Sequence, residues 1–255
     1  MGKADSRYIQ NAEHFFDQVA AVWIAHAPED KLRSLYDSLP TDDEKNLFLR
    51  VGAFYRYLVK EGSYLFKNDE WKREMSFIDD TYKYVALFAL IEALEVSSQY
   101  LDFYEWIQRE AETKAIIVDA NLVKTLEPLY HDYKAKYGST QAVVTFFSRL
   151  NAYDQKLIRE RLRIHKKEAS LRKLALILYD IRSKFVHEAR FVLWFGSLTT
   201  IGYHNDNVLT SNLTISDLCT LFEHGFLRRF GWKENAQQSP PRVRLRSGGA
   251  TAGKA

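Results

Sequence analysis

Between residues 79 and 96 the chain is apolar on nearly every side of a helical projection. Tyr84, Val85, Leu87, Phe88, Leu90, Ile91 and Leu94 point in all directions, and only Glu92 and Glu95 interrupt them. A helix with no wet face must be surrounded, by other helices or by lipid. The uncharged run from 84 to 91 falls far short of the roughly 20 residues that cross a bilayer, so no membrane span is expected. The segment therefore predicts the central helix of a bundle. Its two glutamates need partners there, because an unpaired buried carboxylate is costly.

The rest of the chain supplies the surrounding helices. Gly (11) and Pro (5) make up only 16 of 255 residues, about half the usual share, while 46% of the chain is hydrophobic. Ile9, Phe15, Phe16, Val19, Val22 and Trp23 predict an amphipathic helix over 6–26 that Pro28 closes. After a short helical stretch at 30–39, Thr41 and Glu44 form a capping box ahead of a helix over 42–60, which Gly62 stops. Helices are further expected at 100–113, 120–137, 140–150 and 152–167. Over 191–211 the pattern shifts to a loop with a short hairpin around Asn205-Asp206-Asn207. Ser216 and Asp217 then cap a last helix at about 216–230. From Ala236 onward Gln, Ser, Pro, Gly and Arg cannot bury a core, and a disordered basic tail is expected over 236–255. The fold class is all-α.

Charge is distributed unevenly. Residues 1–155 carry 18 Lys and Arg against 25 Asp and Glu, whereas residues 156–190 carry 11 against 4. Such a basic window suits either a phosphate-bearing partner or a solvated helix face that pairs with the acidic half. The one cysteine, Cys219, lies in an apolar run, so no internal disulfide can form. Lys3, Asp5 and Arg7 stand where a secretion signal would be apolar, and a cytoplasmic location is expected. Met1 to Ser6 fits the myristoylation pattern, but one acyl chain anchors only marginally.

Most familiar chemistries find no support. Gly248, Gly253 and Lys254 imitate a phosphate loop, yet Ala255 stands where a hydroxyl should bind Mg²⁺ and no strand precedes it. The sequon Asn212-Leu213-Thr214 matters only in a secreted protein. The seven histidines show no metal-ligand spacing, and a G-x-S-x-G elbow is absent. Neither a cofactor nor a metal is expected.

The segment 170–190 is the most informative. At about 100° per residue, Leu174, Ile177, Leu178, Ile181 and Phe185 fall in one stripe, the face toward the core. Tyr179, Ser183 and His187 align on the opposite face at i, i+4 and i+8, flanked by Leu176 and Val186. Arg182 lies at the border between the stripes. On geometry alone, the second face either packs on other helices of the chain, with these groups as satisfied polar residues, or binds something.

The pattern Tyr179-x-x-Arg182-Ser183-x-x-x-His187 resembles the Y-x-x-R-S-x-x-x-H signature of Apea-like HEPN domains. The early buried helix with Ala93-Leu94-Glu95 and the further helix after the motif are similar too. The resemblance covers about residues 78–235. It implies a HEPN-type helical domain over 76–235, with residues 1–75 as an N-terminal helical extension. It also implies a metal-independent endoribonuclease, usually dimeric and common in toxin–antitoxin and antiphage systems, though many members only bind or scaffold. One position departs: the signature usually has Gly after its His, and this chain has Glu188, which sets a carboxylate beside the site.

The residue chemistry agrees. RNA can be cut without metal when its 2′-hydroxyl attacks the adjacent phosphate, given a base for that proton and a cation for the developing charge. His187 would be the acid or base and Arg182 the phosphate clamp. Ser183 would orient the phosphate or make a polar contact across a seam, Tyr179 would be structural, and Glu95 would fix Arg182 or a helix end. Two chains meeting about a two-fold axis along the second stripe would supply both an acid and a base. The expected partners are RNA, a second copy of the chain, and an antitoxin or defence-system protein. The alternative is a catalytically silent HEPN module that binds RNA, nucleotide or a protein partner.

Overall fold

The computed structural model describes residues 9, 11–65, 72–95, 103, 105–107 and 122–232. The tail expected over 236–255 and most of the helix expected at 100–113 lie outside the described residues.

The fold is largely helical. Three helices open it: α1 (Ala12–Trp23), α2 (Glu29–Asp37) and α3 (Asp42–Tyr55), the last prolonged by one π-helical turn, Arg56–Lys60. Thr41 caps α3 by accepting from the Glu44 amide at 3.2 Å, which is half of the expected capping box. Helix α4 (Lys72–Glu95) runs through the middle, and Tyr84, Leu87, Phe88, Leu90, Ile91 and Leu94 are buried. Then come α5 (Leu122–Tyr137), α6 (Ser139–Arg149), α7 (Ala152–Arg161), α8 (Leu171–Glu188) and α9 (Ile215–Arg229). The cap of α9 is Thr214, not Ser216, and it shares a complete capping box with Asp217.

One expected helix is shorter than its pattern suggested. The segment 152–167 leaves the helix at Arg161, and Leu162–Ile164 forms β1. Leu162 and Ile164 are buried with Arg163 exposed between them, a period of two too brief to stand out from a helical run. The chain then turns through His165 and Lys166, both at positive φ. Strand β1 pairs antiparallel with β3 (Asn207–Ser211), which pairs antiparallel with β2 (Thr200–His204), giving the order β1-β3-β2. The β2–β3 hairpin is the one read around Asn205, which takes φ +50 in the turn. Gly202 of β2 is obligatory, because a Cβ there would lie 2.1 Å from the Val192 carbonyl oxygen.

A continuous apolar cluster runs from Phe16 to Phe230 and crosses residue 75 without a break. Helix α9 joins its halves. Phe226 packs on Trp23 (4.3 Å between ring centroids) and on Phe48 (5.1 Å), and the Trp23 indole donates to the Glu223 carbonyl at 3.0 Å.

Candidate active site

Helix α8 carries the whole motif, and Ser170 starts it by accepting from the Lys173 amide. Leu174, Ile177, Leu178 and Ile181 are buried as the wheel required, with Phe185 half-buried at the end of their stripe. The opposite stripe is graded. Leu176, Tyr179 and Ser183 are half-buried, whereas Val186 and His187 are exposed. Helix α6 accounts for the covered end, since its Val144 shares a cavity wall with Leu176. The stripe is open at its last turn, where Val186 and His187 are exposed.

Arg182 turns inward. Its guanidinium meets the Glu92 carboxylate of α4 at 3.5 Å and lies 6.0 Å from the Tyr179 ring centre. Neither its Nε nor the Glu92 Oε1 makes a hydrogen bond, although both atoms are buried. The charge also reaches Tyr84, whose hydroxyl donates to the Leu178 carbonyl. Burial raises that phenol well above its ordinary value and Arg182 offsets part of the rise.

Of the two glutamates that interrupt α4, it is Glu92 and not Glu95 that faces Arg182. Glu95 instead takes a two-pronged pair from Arg149, tying the last residue of α4 to the last residue of α6. This is the helix-end role. Both glutamates were marked by their setting in the sequence, but a 60° difference around a helix apolar on all sides does not say which faces a given partner.

His187 projects from the last turn of α8 and makes no hydrogen bond with a described residue. Five residues separate it from Arg182, which is about 140° around the helix and about 7.5 Å along it. One chain thus presents the histidine outward and the arginine inward.

The turn beyond is unusual. Ala189 takes the left-handed conformation (φ +51); its amide returns to the Phe185 carbonyl, the bond of an αL cap, and the Arg190 amide reaches the Lys184 carbonyl. An alanine there is strained where glycine is not. Ala189→Gly should stabilise the chain by about 1 kcal/mol, read as a higher midpoint in urea unfolding. An unchanged or lower midpoint would mean that the strain is absent.

The β2–β3 turn clasps the same half of α8. His204 pairs with Asp180, and Lys184 donates to Asn205 Oδ1 at 3.1 Å. These contacts fix the rotation of the helix that carries the motif.

A second polar cluster lies away from α8. Glu223 of α9 accepts from Tyr55 and from Lys60, each at 2.6 Å, and bonds His26 Nε2 at 2.7 Å. Burial alone would raise its carboxyl, but the bonds from His26, Lys60 and Tyr55, with the Lys60 charge, bring it down to about 2. Next to it, His224 Nδ1 bonds Asp154 at 2.9 Å, and the His26 and His224 rings meet edge to face. The sequence signal was Glu223-His224 inside an apolar helix stripe, a pair the motif search passed over. Cys219 is half-buried nearby, and burial pushes its thiol up to about 11, so it is a poor nucleophile at neutral pH.

Among the described residues no group of three or more His, Cys, Asp or Glu is placed to hold a metal ion, and no helix is long and apolar enough to cross a membrane. The chain matches no protein-family profile, no curated protein and no solved structure at a significant level.

Proposed function

We propose that the chain is a metal-independent endoribonuclease of the HEPN type, working as a homodimer with Arg182 and His187 as its catalytic pair. The observation that carries this reading is the state of the two motif residues in the single chain. His187 is exposed and unengaged at a helix end, and Arg182 is held in a contact that leaves two buried polar atoms unsatisfied. A buried donor without an acceptor costs stability, and a phosphate oxygen would accept from the Arg182 Nε–H.

In this mechanism one imidazole takes the 2′-hydroxyl proton as that oxygen attacks the adjacent phosphorus. The second copy's imidazole gives a proton to the departing 5′-oxygen, and Arg182 stabilises the charge on the non-bridging oxygens. The products are a 2′,3′-cyclic phosphate and a 5′-hydroxyl. Cleavage of RNA in EDTA by the purified chain, and its loss in an Arg182→Ala/His187→Ala double variant, tests the reading.

A specific contact favours the second reading, a silent module that binds RNA, nucleotide or protein. Glu92 partly neutralises Arg182, and Glu188 adds a second carboxylate beside His187. A wild type that binds RNA without cutting it would establish that reading.

The dimer has its own test. Val186 is 46% exposed beside His187, on the open turn of the stripe. Sedimentation should give a dimer at micromolar concentrations and a monomer for Val186→Glu. If the wild type sediments as a monomer, the two-copy site is wrong.

A further inference from the structure

The far end of the His187 stripe opens into a cavity of about 250 Å³ where α5, α6 and α8 meet. Its wall brings together His131 and Lys134 of α5, Thr140 of α6 and Arg172 of α8, beside the apolar Val144 and Leu176. No carboxylate is among the described residues that line it. The Lys134 ammonium lies 4.4 Å from the Tyr130 ring centre, and neither His131 nor Arg172 is engaged in a hydrogen bond or ion pair with a described residue. Two cations, Lys134 and Arg172, thus share an opening with further donors and no acid, and a bound anion would supply the missing counter-charge. On the same helix Arg182 is paired with Glu92, and Lys184 with Asp180 and Asn205.

Position links the cavity to the proposed chemistry. Arg172, Leu176, Ser183 and His187 recur at i, i+4, i+11 and i+15, so they share one face of α8, with Arg172 about 22 Å from His187 along the axis. The opening is bordered by the exposed His131, Lys134, Thr140 and Arg172 and has room for a phosphate and its attached ribose.

We infer that this cavity is a nucleotide-phosphate site, in which Arg172 offers its planar fork and Lys134 a point charge to the phosphate, Thr140 a hydroxyl, and Val144 and Leu176 apolar contact to the sugar. The phosphate comes either from an RNA strand lying along α8 or from a free mononucleotide. Only the strand version rests on the ribonuclease reading.

The test uses the full chain with two probes: 5′-AMP, and a short oligoribonucleotide made uncleavable by 2′-O-methylation. Arg172→Ala and Lys134→Ala should each weaken 5′-AMP binding about tenfold or more, the usual scale for a charged hydrogen bond, with circular dichroism unchanged. Lys166→Ala, which removes the same charge from an exposed turn, should leave it unchanged. If the oligonucleotide weakens in parallel, and KM for cleavage rises with kcat constant, the ligand is the RNA strand. If only 5′-AMP weakens, it is the free nucleotide. The inference is overturned if Arg172→Ala alters neither probe, or if Lys166→Ala weakens binding as much as Arg172→Ala. A wild type that cuts no RNA but binds 5′-AMP through Arg172 would sink the ribonuclease reading and leave the cavity assignment standing.

Discussion

Arg182→Ala and His187→Ala are each expected to lower the rate of RNA cleavage about 100-fold or more, the scale of losing a positioned acid–base or electrostatic group. The variants should differ in stability. His187 is exposed without partners, so its removal should leave the thermal midpoint near that of the wild type. Arg182→Ala strips Glu92 of its counter-charge in a half-buried setting and should destabilise by about 1–3 kcal/mol. Arg182→Ala/Glu92→Ala should recover stability without recovering activity, which separates folding from catalysis. The product should end in a 2′,3′-cyclic phosphate, and a 2′-deoxy substitution at the cut nucleotide should block the reaction. Cleavage that survives in both single variants, or that requires added Mg²⁺, would refute the assignment.

Replacing Glu223 should damage the fold. Glu223→Ala removes the acceptor of the buried Tyr55 hydroxyl and the counter-charge of Lys60, and leaves the His26 ring unpaired. Lys60 and His26 keep contact with solvent, so the main loss is the buried Tyr55 hydroxyl left without its acceptor, about 1–3 kcal/mol, which for a chain of 255 residues lowers the thermal midpoint by roughly 5 °C. The effect also has a pH signature. The folded carboxyl lies at about 2, below its ordinary 4.5, so its stabilisation is complete above 4.5 and disappears as the pH falls toward 2. That displacement corresponds to about 3 kcal/mol. The stability gap between wild type and Glu223→Gln should therefore narrow over this interval, and a gap constant from pH 6 to 2 would contradict the shift.

What the sequence disclosed follows from how local each signal is. The apolar runs around Phe16, Phe48 and Leu87 repeat at helical spacing within a few turns, and those helices stand where the periodicity put them. Asn205-Asp206 announced its hairpin because a residue tolerant of positive φ stands between two alternating runs. Strand β1 escaped because two buried positions, Leu162 and Ile164, are too few to establish a period. At the motif, the wheel put Arg182 on a border, and the structure shows which side it takes because Glu92 lies there. The cluster around Glu223 was illegible in principle. Its bonds join residues separated by 163 to 197 positions, and no local pattern encodes such a meeting.

That separation governs how the chain is made. Trp23, Phe48 and Tyr55 find packing partners in α9, and Glu223 follows Tyr55 by 168 positions. With synthesis at roughly 5–20 residues per second, the first three helices wait roughly 10 to 30 seconds for the segment that closes over them. Until then their aromatic side chains lack the partners that cover them in the fold. Ribosomes stalled anywhere before α9 would release a product with its apolar centre uncovered and no means of covering it.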